Sequence, residues 1–188
     1  WLGYYARARN LHKCAQVVAG DFAGDFPETE EGLLGLPGVG PYTAAAIAAI
    51  AFDIPASPVD GNIERVVARL RRITEPLPAG KKPIQQTARA LTPQERPGDF
   101  AQAMMDLGAT VCTPKNPKCG LCPWEGACAA KAAGDADAWP ARAPKKAKPT
   151  RFGVVFWIED AAGRVLLRRR PEKGLLGGMM EVPSTDWR

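Results

Sequence analysis

Cys112-Thr-Pro-Lys-Asn-Pro-Lys-Cys119-Gly-Leu-Cys122-Pro-Trp-Glu-Gly-Ala-Cys128 sets four cysteines in the spacing C-x6-C-x2-C-x5-C, with no histidine among them. Thiolates are the ligands that soft metal centres prefer. A zinc ribbon usually brings two C-x2-C knuckles from separate turns. Here a single knuckle is flanked by two further cysteines, and Pro114, Pro117 and Pro123 shape the loop. That spacing favours a [4Fe–4S] cubane held by Cys112, Cys119, Cys122 and Cys128, with zinc as the alternative. Paired disulfides are disfavoured, because the opening Trp-Leu-Gly-Tyr-Tyr-Ala-Arg is not a signal peptide.

Outside this loop the chain is a general one. Its 188 residues suffice for one domain and part of another, 46% are apolar, and the net charge is +5. A basic balance is compatible with a polyanionic partner but is weak on its own. The most apolar run, Thr43–Phe52, is alanine-rich and far too short to span a bilayer, so no membrane role is expected. The chain lacks an initiator Met and stops at Trp187-Arg188 just after an expected strand, which reads as an internal segment of a longer protein. His12, the single histidine, lies among polar residues and is expected to be solvated. Cys14 falls in register with Leu11, Ala15 and Val18, so it is expected to be a core thiol.

Working outward, residues 4–19 read as a helix ended by Gly20 and residues 29–35 as a short helix. Leu36-Pro37-Gly38-Val39-Gly40 is a turn. Thr43–Ala51 is a strong helix former that Pro55 and Pro58 end. From Asn62, the apolar stripe Ile63, Val66, Val67, Leu70, Ile73 marks a helix, with Glu64, Arg65, Arg69, Arg71 and Arg72 off the stripe. Residues 84–91 and 99–111 are also expected to be helical. Residues 1–130 thus form a mainly α domain. Residues 131–150, rich in Ala, Pro, Lys and Asp without apolar period, read as a linker. Residues 151–188 read as the start of an α/β or β-rich domain. Its expected strands are Phe152–Ile158, Val165–Leu167 and a third including Glu181-Val182, with a turn at Asp160–Gly163.

Two features of the helical domain carry chemistry. The glycines of Leu36–Gly40 leave amide N–H groups unobstructed at the start of the next helix, so Gly38, Val39 and Gly40 could seat a phosphate. A plain helix–helix turn is the other reading. Asp60, in Pro58-Val-Asp-Gly-Asn62, stands just ahead of an amphipathic helix. It could be a simple N-cap, or a carboxylate placed to stabilise positive charge as a glycosidic bond breaks.

Five segments occur in one order: Leu-Gly-Tyr-Tyr-Ala-Arg-Ala-Arg-Asn-Leu (2–11), Leu-Pro-Gly-Val-Gly-Pro-Tyr-Thr-Ala (36–44), Val-Asp-Gly-Asn-Ile-Glu-Arg-Val (59–66), Gln-Ala-Met-Met-Asp-Leu-Gly-Ala (102–109) and the cysteine loop. Together they closely resemble the helix–hairpin–helix DNA glycosylases, and within them the MutY-type adenine DNA glycosylases. The tail, Arg-Arg-Arg-Pro-Glu-Lys-Gly-Leu-Leu-Gly-Gly-Met-Met-Glu-Val-Pro (168–183), resembles the Nudix-like C-terminal domain of the same family.

The resemblance implies excision of adenine mispaired with 8-oxoguanine or guanine in double-stranded DNA, from an adenine taken out of the stack. Asp60 matches the catalytic aspartate, Tyr42 a tyrosine that orients it, and Asn62 a polar residue of the pocket. Leu2 and Tyr4 match residues that probe the lesion strand. Lys115 and Lys118, inside the cluster loop, are expected on phosphates. Endonuclease III-type enzymes carry a lysine where Tyr42 stands, and its amine can form a Schiff base. Tyrosine cannot, so a monofunctional enzyme leaving an abasic site is expected. The family's general acid is a glutamate upstream of Trp-Leu-Gly-Tyr-Tyr; Glu28, Glu30 and Glu31 do not match it, and the 188 residues alone are expected to be inactive. A bifunctional glycosylase/lyase and a non-catalytic iron–sulfur DNA-binding module are the alternatives. Because no glycine-rich Nudix box follows Glu181-Val182-Pro183, the tail is expected to recognise the oxidised base rather than hydrolyse a nucleotide. A monomer in a bacterial cytoplasm, at the nucleoid, completes these expectations.

Overall fold

The computed structural model describes residues 5–145, 147–172, 174 and 176–186. Leu2 and Tyr4 lie outside them. The chain divides into two compact units, Cys14–Pro144 and a second made of Lys145–Arg188 with Trp1–Lys13.

The larger unit is helical. In chain order it holds the end of α1 (Tyr5–Asp21), then α2 (Glu30–Leu34), α3 (Pro41–Phe52), α4 (Gly61–Arg71), α5 (Lys81–Leu91), α6 (Pro97–Thr110) and α7 (Ala129–Ala132). Helix α1 runs through Gly20 instead of stopping there. The left-handed turn falls at Ala23 and Gly24, where the Gly24 N–H reaches back to the Val18 carbonyl at 2.9 Å. His12 is exposed and Cys14 buried, as their surroundings in sequence indicate.

Two apolar clusters hold the unit. Cys14, Val18, Leu33 and Leu36 pack on the alanine face Ala44, Ala45, Ala48 and Ala49 of α3. Ile63, Val66 and Val67 of α4 pack with Ile84 and Ala88 of α5 and Met104 of α6. Helix α6 joins the clusters, lying against both α3 and α4. Two glycines allow that approach. A Cβ at Gly98 would stand 2.5 Å from the Ala49 carbonyl oxygen, and one at Gly108 would stand 2.6 Å from the Asn62 Cβ.

The expected linker is not free along its first half. Residues 131–143 lie on the helical unit: the Leu77 N–H donates to the Ala141 carbonyl at 2.8 Å, and the Ala143 N–H to the Leu77 carbonyl at 3.0 Å. The unit therefore extends to Pro144. In the second unit, β1 (Arg168–Arg169) pairs antiparallel with β2 (Met180–Glu181), in the register Arg168 opposite Glu181. The expected first strand, Phe152–Ile158, is bonded without a continuous ladder: the Phe156 N–H donates to the Pro183 carbonyl and the Thr185 N–H to the Val154 carbonyl about the isolated bridge Val155–Ser184, and the Leu166 N–H donates to the Ile158 carbonyl. Apolar, β-branched composition favours a strand only where a partner edge supplies a ladder, and this run keeps Phe152 and Trp157 exposed. The expected second strand lies three residues further along. The turn at Asp160–Gly163 forms, its Asp160 carboxylate accepting from the Ala162 and Arg164 N–H groups.

Candidate functional site

Helix α4 begins at Asp60. The Asp60 Oδ1 accepts hydrogen bonds from the Asn62 N–H at 2.9 Å and the Ile63 N–H at 2.8 Å, a complete N-cap. Its second oxygen, Oδ2, accepts from the Asn62 side-chain amide at 3.0 Å. The capping geometry is therefore realised, and a free oxygen edge is turned to the one polar side chain that the sequence resemblance assigns to the pocket.

One turn further along, Arg65 continues the line. Its Nη2 donates to the Asn62 Oδ1 at 3.0 Å and to the Gly108 carbonyl at 2.6 Å, while its Nε donates to the Cys112 carbonyl at 2.7 Å. Carboxylate, amide, guanidinium and the first cysteine of the loop form one hydrogen-bonded row. Burial pulls the Arg65 pKa down, against the opposing influence of Cys112 and Asp60. This row depends on Gly108, whose missing side chain lets α6 meet α4 at Asn62.

Arg69, another turn on, is 2% exposed. It lies off the apolar stripe, yet its guanidinium is enclosed. It donates to the Thr113 carbonyl at 2.7 Å, the Pro114 carbonyl at 3.0 Å, the Trp139 carbonyl at 3.1 Å and the Cys112 Sγ at 3.3 Å. A buried cation needs a counter-charge. Its carboxylate neighbour, Asp137, lies 3.9 Å away and is 62% exposed.

Cys112, Cys119, Cys122 and Cys128 are all free thiols and line one cavity with Arg69. Burial pushes the Cys122 thiol pKa up, and the other three cysteines add to the rise. Four cysteine sulfurs around one cavity and a buried guanidinium aimed at one of them suit an anionic, four-cornered metal–sulfur body. An all-cysteine set with a single C-x2-C knuckle and no histidine fits a cluster better than one zinc. Phe100 of α6 packs against Trp124 in the loop, ring centres 6.4 Å apart, so the loop is fixed to the core from that side too.

The remaining expected residues are placed less uniformly. Tyr42, 42% exposed on the first turn of α3, turns its hydroxyl to the Met105 Sδ at 3.3 Å; no hydrogen bond joins it to Asp60. At the hairpin, Gly38 has φ +79°, but the Val39 N–H is used within the turn, donating to the Leu36 carbonyl at 3.1 Å. Of the three expected phosphate-seat amides, that of Val39 is thus already engaged within the turn. Lys115 and Lys118 are exposed at the tip of the cysteine loop. Reasoning from sequence missed Arg65 and Arg69 as site residues. Their spacing of four from each other, and of three from Asn62 to Arg65, is the signal that could have placed them on one helical row.

The helix-hairpin-helix motif family matches residues 21–50. The iron-sulfur binding domain of endonuclease III matches residues 112–128. Among solved structures, a thermostable thymine-DNA glycosylase is similar with TM-score 0.59 and 34% identity, over 67% of this chain and 58% of that one. A trapped endonuclease III–DNA covalent intermediate is similar with TM-score 0.57 and 28% identity, over 69% of this chain and 60% of that one. Hairpin, α4 cap and cysteine loop on this fold define a helix–hairpin–helix DNA glycosylase domain with an iron–sulfur loop. Human adenine DNA glycosylase is 36% identical over 99% of this chain and 43% of that protein. The Arabidopsis thaliana adenine DNA glycosylase is 39% identical, over 97% of this chain and 31% of that protein. Its Mycolicibacterium smegmatis counterpart is 42% identical, over 65% of this chain and 42% of that protein. Within the class, the chain belongs to the MutY-type adenine DNA glycosylase family, and residues 112–128 are the loop of its [4Fe–4S] cluster. It spans about a third to a half of the length of the curated relatives it matches.

Proposed function

We propose that this protein is a monofunctional adenine DNA glycosylase acting on adenine opposite 8-oxoguanine or guanine in duplex DNA. The observation that carries the reading is the Asp60–Asn62–Arg65–Cys112 row. It fixes a carboxylate at a helix N-terminus on the same element that grips the cluster loop. In the proposed reaction the adenine is turned out of the stack. A glutamate ahead of the Trp-Leu-Gly-Tyr-Tyr motif, as the family carries, protonates the ring. The bond between sugar carbon and base nitrogen breaks, its electron pair leaving with adenine. Asp60 stabilises the resulting sugar cation. Asn62 holds Asp60 in place, and water adds to the sugar to leave an abasic site. Tyr42 is assigned a place in the pocket wall, reaching the carboxylate only in the DNA complex.

When bound, the cluster supplies a rigid anionic centre on which the loop closes. Lys115 and Lys118, with Gly38 and Gly40, meet phosphates. Leu2 and Tyr4 are proposed to probe the lesion strand. Residues 151–188 are proposed as the start of a Nudix-like domain that recognises the oxidised base, on a monomeric protein.

The test uses the intact protein and duplexes carrying adenine opposite 8-oxoguanine, guanine or thymine. Free adenine should appear from the first two, and strand breaks only after alkali. Efficient borohydride trapping with nicking before alkali would make the protein an endonuclease III-like lyase instead. Binding without release of any base would leave a non-catalytic iron–sulfur module.

A further inference from the structure

Residues 131–143 follow the fourth cysteine and read by composition as linker, yet they are bound to the face of the helical unit that holds the cysteine cavity. Lys131 and Ala136 line that cavity beside the four cysteines. The Trp139 carbonyl accepts from the Arg69 Nε, the same guanidinium that donates to the Cys112 Sγ. Arg72, at the end of α4, fastens the segment from outside. Its guanidinium lies over the Trp139 ring at 5.6 Å and its Nη2 meets the Asp135 Oδ2 at 2.8 Å. Two backbone bonds to Leu77 close the far end.

Asp135 and Trp139 are the points at which Arg72 holds the segment. Between it and the cysteine loop runs an open groove lined by Asn116, Pro117, Cys119, Lys131 and Asp137. Cys119 lines both groove and cavity. Opening the segment would widen a path that already ends on a cluster ligand.

We propose that residues 131–143 are a retaining strap for the metal centre: they hold Arg69 on the Cys112 sulfur, close the cavity, and set how slowly iron leaves it. The inference rests on the cluster reading of the four cysteines. Arg69 is then a positioning residue acting through Cys112, and Arg72 acts one step further out through the strap. Partners in this outer position orient ligands and control solvent access.

The experiment measures anaerobic iron release from the intact holoprotein to an external ferrous-iron chelator, together with decay of the cluster's visible spectrum. The variants are Trp139→Ala and Arg72→Asn. Arg72 sits at φ +50°, which asparagine tolerates, and is outside the residues that line the cavity. Both variants should release iron about tenfold faster than wild type, with far-ultraviolet circular dichroism unchanged. Arg96→Gln, which removes the exposed pair with Asp99, should release iron at the wild-type rate. If Trp139→Ala does not fold, Arg72→Asn carries the test alone. Wild-type release rates in folded Arg72→Asn would overturn the strap. A wild-type protein that holds zinc and no acid-labile sulfide would overturn the cluster reading, and the strap with it.

Discussion

Asp60 meets two demands with one side chain. Its Oδ1 caps α4, and its Oδ2 is held by Asn62. The first demand is served equally by asparagine, since Asn and Asp cap about as well as each other. Asp60→Asn keeps the cap but loses the acceptor of the Asn62 amide, so it is expected to lower the thermal stability of the intact protein by no more than about 1.5 kcal/mol, one hydrogen bond, as read by melting of the far-ultraviolet signal. Arg69 is the opposite case. Its removal leaves the carbonyls of Thr113, Pro114 and Trp139 without their donor. Arg69→Ala should cost at least about 3 kcal/mol in denaturant unfolding. A cost below about 1 kcal/mol, the range of an exposed ion pair, would contradict the enclosed site described for it.

Among the elements, α4 and α6 decide the site. Helix α6 reaches α4 only because Gly108 has no side chain at the crossing, where Asn62 stands. Gly108→Ala should destabilise the protein by about 1–3 kcal/mol and displace Asn62, and through it Asp60. Reduced adenine release beyond what the loss of folded protein explains is the expected readout; an unaltered rate per folded molecule would show that Asn62 does not depend on this crossing. The helices were legible in sequence to within a few residues, because apolar period and proline breaks are local properties. The cysteine loop was legible because its ligands lie within one short stretch. Arg69 was not. Its partners at 113, 114 and 139 are far along the chain, and helical periodicity alone places it only off the apolar stripe. Tyr42 illustrates the same limit, since its contact with Met105 arises from the packing of α3 on α6. The run 152–158 forms only isolated bridges, because composition reports what a run tolerates, not how far its ladder with a partner extends. The strap was missed because alanine, proline and lysine carry no period even when their backbone is fixed.

For the whole molecule, the proposed function couples cluster and DNA surface through the cysteine loop, which carries the exposed Lys115 and Lys118. Anaerobically purified protein should contain iron and acid-labile sulfide. Stripping the iron should cost DNA affinity as well as stability. Charge reversal at Lys115 and Lys118 should weaken binding to matched and mismatched duplexes alike and flatten the salt dependence, because phosphate contacts carry no sequence information. A loss confined to the mismatched duplex would mean that these lysines read the lesion. The claim that joins these parts is that Asp60 is a catalytic carboxylate and not only a cap. The most direct measurement is single-turnover adenine release from a duplex with adenine opposite 8-oxoguanine, comparing the intact protein with its Asp60→Asn variant at matched iron content and folded fraction. The variant should be slower by roughly 100-fold or more, the typical cost of losing one such electrostatic stabiliser; near-normal release would return Asp60 to the helix cap alone and contradict the proposed chemistry.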